Sequence, residues 1–169
     1  LNISPCFLPD TMESTSISGY LNDETALKIG LPAGIPIIAG AGSSISRVIG
    51  AGALANDIAT ISIDSAGLII VPTDTYQPVP NGRIHCFCHG FPGKWALVGI
   101  TLSAGESFNW FKDNFGEKEL LMEALSKTDA YDLLTESAES IPPGSEGLLY
   151  LPYLTGERTP HNNPHAKGV

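Results

Sequence analysis

Strands come first along this 169-residue chain, helices next and an apolar strand last, an order that predicts an α/β fold. The apolar runs at 60–63 and 68–71 are short and β-branched, whereas 103–115 repeats its aromatic residues at helical spacing. Hydrophobic residues make up 43% and charged residues 16%, so the chain can bury a core and is not intrinsically disordered. Its 18 glycines and 13 prolines are too many for a helical bundle and suit short strands joined by tight turns.

The elements follow in order. Residues 1–25 are rich in Ser, Thr and Pro and weakly patterned, which predicts a surface loop. A short helix is expected over 22–29, capped by Asn22 or Asp23. Leu31-Pro32-Ala33-Gly34 ends it, and the apolar run 35–40 reads as a strand buried on both faces. Gly40-Ala41-Gly42 then turns the chain into a helix of small residues over 43–54. Strands at 60–63 and 68–71 flank Asp64-Ser65-Ala66-Gly67 as a hairpin. A proline-bounded loop at 77–82 leads to strands at 83–89 and 94–101, joined by Gly90-Phe91-Pro92-Gly93. Phe108, Phe111 and Phe115 mark one face of a helix over 103–115, and helices at 119–126 and 130–140 follow. Pro142-Pro143-Gly144 breaks the pattern, 148–154 is an apolar strand and 155–167 a loop.

Nine basic against eighteen acidic residues leave a net charge of −9. Such a surface repels polyanions and argues against a nucleic-acid partner. It does not exclude a small anion, which backbone N–H groups can hold. Three cysteines, an odd number, give no disulfide framework and fit a reducing, cytoplasmic location. No apolar run approaches the ~18 residues that cross a bilayer, so no membrane partner is expected. Starting at Leu1 rather than Met, and stopping at Val169 as a strand-like Gly168-Val169 begins, the chain reads as cut at both ends.

Three segments invite chemistry. His85-Cys86-Phe87-Cys88-His89 looks like a metal motif, but alternate strand residues face opposite ways and its four ligands cannot converge. It reads as a buried strand, with no metal site. Gly40-Ala41-Gly42-Ser43-Ser44 is either a cradle for a phosphate or hydroxyl group or a plain strand-to-helix turn; it lacks the lysine and spacing of a P-loop. The turn at Asp64-Ser65-Ala66-Gly67 offers a hydroxyl and backbone amides.

The closing run Leu151-Pro152-Tyr153-Leu154-Thr155-Gly156-Glu157-Arg158-Thr159-Pro160-His161 is long and unusual. Together with Leu97-Val98-Gly99-Ile100-Thr101-Leu102-Ser103-Ala104-Gly105-Glu106-Ser107-Phe108-Asn109-Trp110 and Phe87-Cys88-His89, it resembles the xylulokinase branch of the FGGY family of ATP-dependent carbohydrate kinases. The resemblance runs from about residue 21 to 169. It implies a ribonuclease-H-like, actin-like ATPase fold, here incomplete: residues 1–54 as the end of the first domain and 55–169 as the first part of the second. It also implies ATP and Mg2+, a sugar acceptor bound between the domains, and the remainder of a parent kinase as partner. Gly105 and Asn109 correspond to a nucleotide-contacting stretch, with the helix start near Ser103 aiming N–H groups towards ATP.

Two segments depart from the family. Its general base is an aspartate in Gly-Gly-Gly-Asp-Asn-Ala-Ala; here Ser43 stands in that place, Ser44 replaces the sugar-positioning asparagine, and no catalytic residue is intact. A serine hydroxyl cannot take a proton near neutral pH as a carboxylate can, and general-base assistance contributes ~10²–10⁴-fold. The family's Leu-Gly-Thr-Ser-Gly phosphate motif reads Ile63-Asp64-Ser65-Ala66-Gly67 here. Ser65 keeps a hydroxyl, but Asp64 either brings a carboxylate beside phosphate or sits at a solvated turn tip. Like charges ~4 Å apart repel by about 4 kcal/mol near a surface. Glu157 and Arg158 are either catalytic or a paired clamp on their loop. The expectation is a xylulokinase-like sugar kinase segment that does not transfer phosphate as it stands; a non-catalytic relative with residual sugar or nucleotide binding, or a scaffold without function, remain the alternatives.

Overall fold

The computed structural model describes residues 3–169. Asn22 accepts from the Thr25 N–H and caps helix α1 (Asp23–Ile29), which Gly30 closes in the left-handed conformation. The other elements are β1 (Ile17–Tyr20), β2 (Pro36–Ile38), α2 (Ser43–Gly50), β3 (Thr60–Ile63), β4 (Gly67–Thr73), β5 (His85–Cys88), β6 (Trp95–Thr101), α3 (Gly105–Phe115), α4 (Glu117–Ser126) and α5 (Ala130–Glu139). β1 and β2 pair antiparallel as a two-stranded ribbon. The other four strands make one sheet in the order β3-β4-β6-β5. The α/β class is as the sequence predicts, and the hairpin at 64–66 and the three helices after β6 fall where expected.

The chain divides into two units. One holds the residues up to Thr60 with Val71–Gln77 and Cys86–Leu97; the other holds Ile61–Ile70, Pro78–His85 and Val98–Val169. In the first, Ala26, Ile45, Val48, Ala53 and Ala96 are buried; in the second, Ile70, Val98 and Ala130 are.

Five expectations are corrected. Residues 17–20 form β1 rather than loop, because a partner strand 16 or more residues further on supplies the ladder that local composition cannot reveal; the first two residues of that expected loop lie outside the described ones. β2 is exposed along its length rather than buried on both faces, since its ribbon has only two strands. α2 stops at Gly50, with Ala51 and Gly52 turning the chain. The apolar run 148–154 forms no strand, and Leu148 stays 78% exposed. Among the described residues, Leu151 pairs with Val169 through two backbone bonds, and Leu154 makes an isolated bridge with Gly156. Finally, β5 is an edge strand, and Phe87 and Cys88 on it are exposed.

Candidate active site

The two turns expected to hold ligand fall in different units. Ser43 and Ser44 belong to the first, Asp64, Ser65, Gly105 and Asn109 to the second.

In the first unit, Gly40 takes φ +81° and lets the chain swing from β2 into α2. Ile45 and Val48 turn one face of α2 inward, which leaves Ser43 exposed on the first turn and Ser44 half-buried. Gly42 is the N-cap and offers no side chain, and no acidic residue lies in the first turn. Among the described residues, no backbone carbonyl from elsewhere takes the N–H groups of Ser43, Ser44 or Ile45. The β5–β6 turn lies against the far side of this helix: a Cβ on Gly90 would stand 2.5 Å from Ile49 Cδ1. An apolar recess of about 360 Å3 opens there, lined by Ile38, Ile49, Gly90 and Phe91 among others, and does not include Ser43.

The second turn is built differently. The Asp64 N–H donates to the Ala66 carbonyl at 2.9 Å and closes the hairpin. Ala104 and Glu106 donate their N–H groups to the Ser65 carbonyl at 2.8 and 3.2 Å, and Gly105 donates to Asp64 at 2.8 Å. The start of α3 thus uses on the hairpin the N–H groups expected to face a nucleotide. Gly105 is required by the approach: a Cβ there would lie 2.7 Å from the Asp64 carbonyl oxygen. The Ser65 N–H donates to Asp64 Oδ1 at 3.0 Å. Five backbone donors around the turn are therefore engaged, and an exposed carboxylate stands at its tip. As it stands the turn does not fit a phosphate, which needs free donors and no neighbouring anion.

Asn109 has a partner inside the unit. Tyr131 donates its hydroxyl to Asn109 Oδ1 at 2.9 Å, joining α3 to α5, while the Tyr131 ring meets Phe108 edge-on and Lys112 Nζ over its face. Composition gave no hint of this pairing, which spans 22 residues. Glu157 is 3% exposed and accepts from Thr101 Oγ1 at 2.6 Å, the Leu102 N–H at 3.1 Å and the Arg158 N–H at 2.7 Å. It is a loop clamp, as one sequence reading held, but it grips the end of β6 rather than the exposed Arg158 guanidinium. Thr159, which sequence reasoning passed over, adds to the grip: Ile100 donates its N–H to Thr159 Oγ1 at 3.0 Å, and that hydroxyl donates to the Arg83 carbonyl at 2.7 Å.

Among the described residues no group of three His, Cys, Asp or Glu side chains could hold a metal ion. His89 is buried, stacked on Phe91, and accepts the Phe91 N–H at Nδ1 (3.3 Å). Its burial, and secondarily the Lys94 ammonium, push its pKa below the ordinary histidine value.

A four-stranded sheet followed by three helices, with a hairpin turn seated on a helix start, makes an α/β architecture. Residues 59–169 match the C-terminal domain of the FGGY family of carbohydrate kinases, and the chain belongs to that family. Its relatives include the xylulose kinases of Lactococcus lactis, 33% identical over 99% of this chain, and Bacillus subtilis, 34% identical over 99%. The gluconokinase of Bacillus subtilis is 32% identical over 98%. Among solved structures, the xylulose kinase of Rhodospirillum rubrum (29% identity, 99% of this chain, 32% of that one) has a TM-score of 0.76. The ligand-bound xylulose kinase of Lactobacillus acidophilus (26% identity, 99% of this chain, 32% of that one) has 0.79. The chain spans about a third of the length of these relatives: 31% for Lactococcus lactis and 32% for both Bacillus subtilis enzymes. No helix among the described residues is long and apolar enough to cross a membrane.

Proposed function

We propose that the chain is the domain-junction segment of a cytoplasmic sugar kinase that moves the γ-phosphoryl of Mg-ATP onto a ketose hydroxyl, xylulose being the acceptor, and that this version does not carry out the transfer. Residues 1–54 close the first domain and 55–169 open the second. The similarity to xylulose kinases along nearly the whole chain supports the class. The observation that carries the loss of transfer is Ser43: an exposed hydroxyl at the start of α2, where the family places its aspartate. With a carboxylate there, the residue would take the proton of the attacking hydroxyl; with serine, the proton has no acceptor of suitable pKa. Asp64 adds a second obstacle by occupying the Ser65 N–H and placing a negative charge where phosphate would lie.

The test is a chimera in which this chain replaces the matching third of the Lactococcus lactis xylulose kinase. Coupled assays with xylulose and with gluconate should show no turnover above a mock purification. Ser43→Asp together with Asp64→Gly should restore transfer to xylulose. Turnover by the unrepaired chimera would refute the loss, and a folded, repaired chimera that prefers gluconate would refute the acceptor.

A further inference from the structure

We infer that Glu157 is a positioning residue for the turn proposed to face the nucleotide, acting through the junction of β6 and α3. The inference rests on that proposed role of the turn. The loop carrying Glu157 is itself fixed: Glu157 and Asn163 exchange backbone bonds of 2.9 and 2.8 Å. Gly156, at φ +84°, packs so close to Pro164 that a Cβ would lie 2.7 Å from its carbonyl oxygen. From this base the loop grips the end of β6 at four points. The Thr159 N–H donates to the Ile100 carbonyl at 2.9 Å, and the Ile100 N–H donates to Thr159 Oγ1. The Glu157 carboxylate accepts from Thr101 Oγ1 and the Leu102 N–H.

Leu102 is two residues before Ala104, whose N–H opens the set of three donors that hold the Asp64 and Ser65 carbonyls. The order of control is therefore loop, Glu157, the residues 101–102, the start of α3, and last the hairpin turn. Glu157 is the only charged member of this series that is buried, and three donors converge on its two oxygens. Removing the carboxylate leaves the Leu102 N–H and the Thr101 hydroxyl at the end of a strand without the acceptor that fixes them. Glutamine is a milder change. Its amide oxygen can still accept both N–H groups, and its NH2 can donate to the Thr101 hydroxyl, which then turns acceptor.

The experiment has two arms, with Glu157→Ala, Glu157→Gln and Thr101→Val. In the chain as it exists, hydrogen exchange is followed at the Ala104, Gly105 and Glu106 amides, with the β1–β2 ribbon as reference. In the repaired chimera, KM is measured separately for ATP and for xylulose. Glu157→Ala should speed exchange at 104–106 by about tenfold or more, as expected for losing a charge-assisted hydrogen bond, and leave the ribbon unchanged. It should raise the ATP KM with little change in the xylulose KM, and Glu157→Gln should restore most of both effects. If Glu157→Ala does not fold, Thr101→Val decides, because it removes one donor and keeps the carboxylate. Unchanged exchange at 104–106 would overturn the inference, as would both KM values rising together. Faster exchange with an unmoved ATP KM would overturn the nucleotide role of the turn while leaving Glu157 as its clamp.

Discussion

Two of the glycine-bearing helix starts, those of α2 and α3, face opposite situations. At α2, among the described residues, the first N–H groups have no side-chain cap, no acidic residue in the first turn and no backbone carbonyl from another segment. At α3 the equivalent groups are saturated by the hairpin, and Gly105 is pressed against the Asp64 carbonyl. An open start tolerates chemical substitution because little is built upon it. A saturated start is part of the packing, so changes there act on structure before they act on chemistry. On the proposed reading, Ser43 and Asp64 are therefore departures of different kinds: one removes a reactive group from an open site, the other adds a group to a closed one.

The largest expected effect tests that distinction. In the chimera, Ser43→Asp alone supplies a base, yet Asp64 still holds the Ser65 N–H and its charge, so recovery should be slight. Ser43→Asp with Asp64→Gly should exceed the single mutant by a further factor, and the base itself is worth about 10²–10⁴-fold. Equal rates for the single and double mutants would mean that Asp64 is a harmless turn tip.

Next in size is a pair of glycine substitutions read by urea unfolding. Gly105→Ala forces a Cβ into backbone that cannot yield like the end of a side chain, and should cost about 1–3 kcal/mol. Gly42→Ala meets nothing within 4 Å at a φ that alanine adopts, and should cost less than about 1 kcal/mol. Similar costs would erase the contrast between the two starts.

What could be read in the sequence follows the same division between local and distant causes. The α1 cap at Asn22, the hairpin at 64–66 and the aromatic face of α3 each depend on residues a few positions apart, and all were legible. β1 was not, because Ile17 pairs with Ile38 and no feature of 17–20 announces that partner. The apolar run 148–154 failed in the opposite sense: its composition suits a strand, but among the described residues it finds only the Leu151 and Val169 bonds and an isolated Leu154 to Gly156 bridge, not a ladder. The cysteines of β5 suggested burial, yet an edge position leaves Cys88 exposed. At the candidate site the residue types at 43, 64, 65, 105 and 109 were readable. Their partners were not, since the Glu157 and Thr101 contact spans 56 residues.

A smaller effect separates the two units by pH. The folded pKa of His89 lies below its unfolded value, so the unfolded chain takes up the proton first as pH falls. The first unit should keep its full stability above the ordinary histidine range near 6.5 and lose it progressively on acidification through that range towards the depressed folded value. Exchange protection in Ala96 and in α2 should fall with pH, and His89→Gln should flatten that dependence. A profile unchanged by His89→Gln would assign the acid sensitivity to carboxylates instead.

The smallest effect is also the one that isolates the open start most cleanly. Ser43 lies in the first turn of α2, which has no acidic residue and no side-chain cap. A carboxylate placed there meets the positive end of the helix dipole and the unpartnered N–H groups, an arrangement worth about 0.3–1 kcal/mol at low ionic strength. Ser43→Asp should thus raise the stability of the first unit slightly, with the gain shrinking as salt is added, because the site is exposed and screened. Ser43→Asn, which has the same shape without the charge, should show less gain and no salt dependence. If Ser43→Asp destabilises the chain at low salt, the N–H groups of α2 are not open, and the serine stands where a carboxylate cannot be accommodated rather than where one has merely been lost.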